Sequence, residues 1–146
     1  MSWVIDTPTD FTCAYAAGPG QLHGGWRTQP TDAALRVDYT RLLAAARSHG
    51  NCCYWLLDLR SCTGPAPAIG PWLAGSFAET AQAVLARPLY IAYVVSAEHA
   101  ARCSTPAAEA TLTGSHRYQV YRAYFATEAA AQAWLARQQA AGYPGA

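Results

Sequence analysis

The chain contains no lysine, and all ten of its cations are arginines, scattered from Arg27 to Arg137. A phosphate-binding loop of the Walker type needs its lysine, so that class is excluded. Charge of either sign is scarce: Asp, Glu and Arg together make up 13% of the residues, about half of the ~25% found in an average globular protein. The formal net charge is +1. A nucleic-acid backbone demands a concentrated positive face, which this sequence does not offer, so no nucleic-acid partner is expected. No apolar run approaches the ~20 residues of a membrane-spanning helix, and Met1-Ser2-Trp3 begins nothing like a signal peptide. The expectation is a soluble, cytoplasmic protein without a membrane span.

Metal-ligand spacing is missing too. The five cysteines stand at 13, 52, 53, 62 and 103, an odd number that suits buried thiols better than a disulfide framework. Zinc calls for Cys-x-x-Cys pairs with histidines in register, and His23, His49, His99 and His116 supply none. Cys52 and Cys53 are expected on a strand, where neighbours point to opposite faces and chelate poorly. Neither Gly-x-Gly-x-x-Gly after a strand nor Gly-x-Ser-x-Gly occurs. Gly18-Pro19-Gly20 and His23-Gly24-Gly25-Trp26 read as hairpin punctuation. No metal and no cofactor are expected.

What the chain does have is apolar mass. Hydrophobic residues reach 52%, with nine tyrosines and five tryptophans. Aromatics beyond the needs of a core tend to line interfaces or pockets, which favours self-association. A length of 146 residues fits one domain, large enough to bury roughly two-thirds of its unfolded surface.

Local patterns order the elements. Strands are expected at Phe11 to Ala17 and Gln21 to about Arg27, joined as a hairpin by the Gly-Pro-Gly turn. Thr31 or Asp32 caps a helix whose Leu35, Tyr39, Leu42, Leu43 and Ala46 share a stripe, and Gly50 suits its left-handed end. The unbroken apolar runs Cys53 to Leu59 and Leu89 to Val95 read as central strands buried on both faces. Between them Leu73, Phe77, Ala81, Val84 and Leu85 mark a second helix, stopped by Pro88. A third helical stretch is expected from Ala97 to about Leu112. A strand from Tyr118 to Phe125 and a helix capped by Thr127 close the domain. The expected architecture is α/β: a mixed five-stranded sheet with an N-terminal hairpin and about four helices, in the order ββαβαβαβα, with its core at about 11–141. Right-handed crossovers make the later strands parallel.

This order resembles the STAS fold of sulphate transporters and anti-sigma-factor antagonists, and more narrowly the SpoIIAA-like bacterial proteins. The stretches that carry the resemblance are the helix from Asp38-Tyr39 to Ala46, Trp55-Leu56-Leu57-Asp58-Leu59, Leu89 to Ser96, and Tyr124 to Glu128 with Ala133-Trp134-Leu135. Phospho-switched members carry an Asp-Ser-Ser/Thr-Gly turn at the start of the helix after the third strand. Here Ser61-Cys62-Thr63-Gly64 follows Leu59 too closely, and Ala66-Pro67-Ala68 occupies the usual register. Switching by phosphorylation is therefore not expected.

Ligands on open α/β sheets gather beyond the carboxyl ends of parallel strands. Asp58, Arg60, Ser61, Cys62 and Thr63 leave one such end, while Ser96, Glu98 and His99 leave the next, so both groups are expected at one small cavity. Cys62, His99 and Asp58 can be drawn as a triad, but nothing in their spacing demands it, and no catalytic residue is assigned. Trp3, Trp26 and Trp72 fall outside the clearest core stripes and are the tryptophans expected at a contact surface. The functional expectation is a non-enzymatic regulatory or scaffold module acting through protein contact, as a homodimer or with another protein. The alternative is a carrier or sensor for a small apolar or amphipathic ligand.

Overall fold

The computed structural model describes residues 11–28, 30–62, 72–98, 111–112 and 119–141. Strands β1 (Phe11–Ala16) and β2 (Gln21–Trp26) form the antiparallel hairpin. Helix α1 (Asp32–Ser48) begins where the Thr31 hydroxyl accepts the Ala34 N–H at 3.1 Å, and Gly50 takes φ 71° just past its end. Strand β3 (Tyr54–Asp58) leads to helix α2, which opens with the π turn Leu73–Phe77 and continues as Ala78–Leu85. A π turn adds a residue per turn. Trp72 and Phe77, five apart, thereby pack in a tilted pair with centroids 5.3 Å apart, and both rings meet Tyr39 of α1. Strand β4 (Leu89–Val94), the two-residue strand β5 (Thr111–Leu112), strand β6 (Val120–Phe125) and helix α3 (Glu128–Ala141) follow. Thr127 caps α3, accepting the Ala130 N–H at 3.1 Å.

The strands form one mixed sheet in the order β1-β2-β3-β4-β6-β5. From β2 through β6 the long strands run parallel, and the two outermost pairings are antiparallel. The α/β plan, the hairpin and the five longer strands match the sequence expectation, whereas β5 corrects it. Thr111 and Leu112, expected at the end of a helix, instead pair with Arg122 and Tyr121, where they satisfy the outer backbone groups of β6. Ala97 and Glu98, where that helix is expected to begin, are helical, residues 99–110 lie outside the described residues, and three helices are complete within those described.

Period-two alternation splits the core across the sheet. One face sets Leu22, Trp55, Leu57, Leu89, Ile91 and Tyr93 against Leu35, Tyr39, Leu42, Phe77, Ala81 and Leu85 of α1 and α2. The other sets Leu56, Ala92, Val94, Ala123 and Phe125 against Ala131, Trp134 and Leu135 of α3. Gly24 lets α1 settle on the sheet, because a Cβ there would lie 3.1 Å from both Leu42 Cδ2 and Leu57 Cδ2.

The α1/α2 face also buries polar groups in matched pairs. The Trp26 indole N–H donates to Asp38 Oδ2 at 2.7 Å, and the Tyr39 and Tyr93 hydroxyls meet at 2.6 Å. Burial pushes the Asp38 carboxyl up, against the opposing pull of Trp26 and Arg41. Burial likewise holds the Tyr39 phenol far up, with Tyr93 adding to it. For Arg122, burial lowers the guanidinium, but the hydroxyls of Tyr93, Tyr124 and Tyr39 outweigh it, and the net shift is upward.

Two expectations change here. Trp26, expected at a contact surface, is only 3% exposed, because Asp38 gives its N–H a buried partner and Phe11 and Tyr39 pack on its ring. Cys52 and Cys53 precede β3 rather than lying in it, after the left-handed residue Asn51 (φ 58°), and both join the core on the α1/α2 face.

Candidate functional site

Helix α3 packs on β4, β3 and β6 but is not the cover for β1 and β2. At that corner lies an open cleft of ≈ 330 Å³. Its floor follows from strand register. Ala14, His23 and Leu56 form one row across β1, β2 and β3, and Thr12, Gly25 and Asp58 form the next. A Cβ on Gly25 would lie 3.1 Å from Asp58 Cβ, so the glycine keeps the floor low beside the carboxylate. Ser61 and Arg27 close the end of the cleft and Glu128, the first residue of α3, forms its wall.

Asp58 is clamped by its near neighbour. Arg60 donates its backbone N–H and Nε–H to Oδ1 at 2.9 and 3.0 Å, and its Nη2 to Oδ2 at 2.7 Å. Those hydrogen bonds hold the Asp58 carboxyl below its ordinary range. The same Nη2 stands 3.9 Å from Glu128 Oε1, so one guanidinium bridges the end of β3 and the start of α3.

His23 Nε2 lies 3.0 Å from Gln21 Oε1, an acceptor, which calls for the proton on Nε2. Burial lowers the imidazole's affinity for a second proton, and Glu128 opposes this. The Gln21 side chain also reaches Gln139 of α3 at 3.3 Å, and Gln139 donates to Pro19 O at 2.8 Å. These contacts tie the far end of α3 to the hairpin turn.

Of the residues expected at a site, Asp58 and Ser61 line the cleft and Arg60 stands at its rim. Cys62 turns to the opposite side, packs against the α1/α2 core and lies 4.0 Å from Thr28 O. Ser96 and Glu98 are exposed beyond β4 and do not line this cleft, and the cavity expected between the two strand ends falls partly on residues outside those described. The cleft joins β3 to the hairpin instead, because β2 is the other neighbour of β3 and its small residues leave room there. Thr63 and His99 lie outside the described residues, as does Trp3. Trp72 is half-buried, with the Arg36 guanidinium 5.7 Å from its ring centroid.

Sequence reasoning missed Thr12, His23 and Glu128. The signal for His23 was the alternation of Gln21, His23 and Gly25 against Leu22, Gly24 and Trp26 along β2. The four described thiols share one condition: burial raises Cys13 and Cys53 to about 11, and raises Cys52 and Cys62 as well. Among the described residues, no group of three or more His, Cys, Asp or Glu could hold a metal ion, and no helix is long and apolar enough to cross a membrane. No family model, curated protein or solved structure matches the chain.

Proposed function

We propose that this chain is a non-enzymatic, cytoplasmic contact module, STAS-like in plan, that works as a homodimer through the open corner of its sheet. The observation that carries this reading is that Asp58 and His23, two polar side chains of the cleft, are already engaged by neighbouring side chains of the protein. Arg60 clamps Asp58 and lowers its carboxyl, Gln21 engages His23 Nε2 while burial lowers the imidazole, and burial raises the Cys13 thiol. General acid–base or nucleophilic chemistry needs a group poised to exchange its proton beside a reacting atom. Groups engaged in this way suit recognition, where fixed charges and hydrogen bonds set orientation and specificity.

A second reading, a small-molecule carrier, is favoured by the cleft itself, whose ≈ 330 Å³ falls near the lower end of the roughly 300–1,000 Å³ of ligand pockets. Thr12, His23, Asp58 and Glu128 share its lining with Ala14 and Leu56, a mixture that suits a small amphipathic ligand, one of the two kinds expected from the sequence. Native mass spectrometry of gently purified protein separates the two readings. A dimer of the 15.6 kDa chain without added mass supports the contact module. A monomer carrying extra mass that disappears on denaturation contradicts it and makes the carrier the better account.

A further inference from the structure

We infer that the homodimer forms by antiparallel pairing of β1 with β1 of a second copy, about a two-fold axis through Cys13, which joins the two sheets into one. The inference rests on the contact-module reading and names its surface. Among the described residues β1 is the terminal strand of the sheet, with β2 on one side. In an antiparallel pair alternate residues turn their N–H and C=O groups away from the partner, and these outward groups form a template for another strand. Edge strands that avoid such pairing carry lysine, proline or inward charges. Phe-Thr-Cys-Ala-Tyr-Ala has none of these, and Thr12 and Ala14 are exposed.

Self-pairing imposes a further condition. A two-fold axis sets each residue against its own counterpart or against a residue equally far on the other side of the centre. Any charge near the centre would meet a like charge, and β1 holds no charge. Joining the sheets also requires that paired residues lie on the same face, which restricts the centre to a residue rather than a gap between residues. Centred on Cys13, the strand reads aromatic, small, cysteine, small, aromatic in either direction. Phe11 then meets Tyr15 of the copy twice on the α1 side, and Thr12 meets Ala14 twice on the cleft side. Aromatic cross-strand pairs are among the stabilising ones.

Helix α1 adds a flank to the same edge. Asp38 reaches β2 and the His49 ring stacks on Tyr15 at 4.2 Å, whereas Tyr39 points to β4. Helical spacing therefore puts Ala34, Val37 and Arg41 on the β1 side of α1. Val37 is the exposed large hydrophobic of the described chain, at 50%.

Sedimentation equilibrium of three full-length proteins tests the pairing and its register, with circular dichroism as the check that each is folded. The expected result is a dimer for wild type, a monomer for Thr12→Lys/Ala14→Lys, where lysine faces lysine across the axis, and a dimer for Thr12→Lys/Ala14→Glu, where lysine faces glutamate. A folded Lys/Lys variant that remains dimeric overturns the edge pairing while leaving the homodimer reading in place. Loss of the dimer in both variants overturns the Cys13-centred register. A wild-type monomer up to millimolar concentration overturns the pairing and the homodimer reading together.

Discussion

The two faces of the sheet handle polar groups in opposite ways. Under α1 and α2, buried polar side chains are paired within the core, Asp38 with the Trp26 indole and Tyr39 with Tyr93, and Arg122 Nε is the buried atom there left without a hydrogen-bond partner among the described residues. Across the sheet, between α3 and the hairpin, Thr12, His23, Asp58, Ser61 and Glu128 surround open space. The first arrangement protects a core, because a buried group without a partner costs more than a hydrogen bond contributes. The second keeps hydration at hand and fixes charge by local clamps such as Arg60 on Asp58. Stability should therefore reside on the helix-covered face, and recognition at the open corner.

The sharpest way to break this contrast is to truncate one residue on each side. Trp55→Ala removes a fully buried ring and its indole hydrogen bond to Cys52 O, and should cost about 3–5 kcal/mol. Thr12→Ala at the exposed edge should change the stability of the folded chain by less than ~0.5 kcal/mol. Urea unfolding of monomeric protein reads both, and equal losses would erase the distinction. A smaller effect tests the matched pairs. Asp38→Ala strands the buried Trp26 N–H and should cost about 1–3 kcal/mol, whereas Asp38→Asn, which keeps an acceptor oxygen, should recover most of that loss.

The gentlest test is the sign of the pH dependence. Burial raises the Asp38 carboxyl, so its contribution is fully present below the unfolded carboxyl value and is lost as pH rises through the raised folded value. Hydrogen bonds from Arg60 lower the Asp58 carboxyl, so its contribution is present above the unfolded value and is lost as pH falls through the lowered folded value. From about pH 2 to 7, which spans the ordinary carboxylate range, Asp38→Asn should gain on wild type as pH rises. Asp58→Asn should lose ground over the same range. The second slope should be shallow, because both members of the Asp58–Arg60 pair are more than a third exposed and exposed pairs are screened. Slopes of the same sign for both variants would contradict the assignment.

Much of the frame was legible because it depends on local signals. Leu89 to Val94 reads as a strand buried on both faces, and each of its neighbours in the sheet supplies a ladder. Thr127 caps its helix as expected, and of the two candidates Thr31 and Asp32 it is Thr31 that caps α1. What stayed hidden depends on distant partners. Trp26 ends a strand interrupted by two glycines, and its distant partners Asp38, Phe11 and Tyr39 bring it inside. Two residues such as Thr111 and Leu112 are too few to show alternation, so the β6 edge alone makes them a strand. His23 belongs to the cleft because β2 pairs in register with β3 and α3 packs mainly over β4, β3 and β6, neither of which is written in the residues around it. Asp58 and Ser61 were within reach because the carboxyl ends of parallel strands are a general place for sites.

Amide hydrogen exchange of wild type and of the Thr12→Lys/Ala14→Lys variant, read strand by strand, tests the central claim most directly. The account predicts that the outward amides of β1 exchange slowly in wild type and quickly in the variant, while β3 and β4 stay equally protected in both. Fast exchange of those β1 amides in both proteins, at concentrations where wild type is assembled, would contradict it.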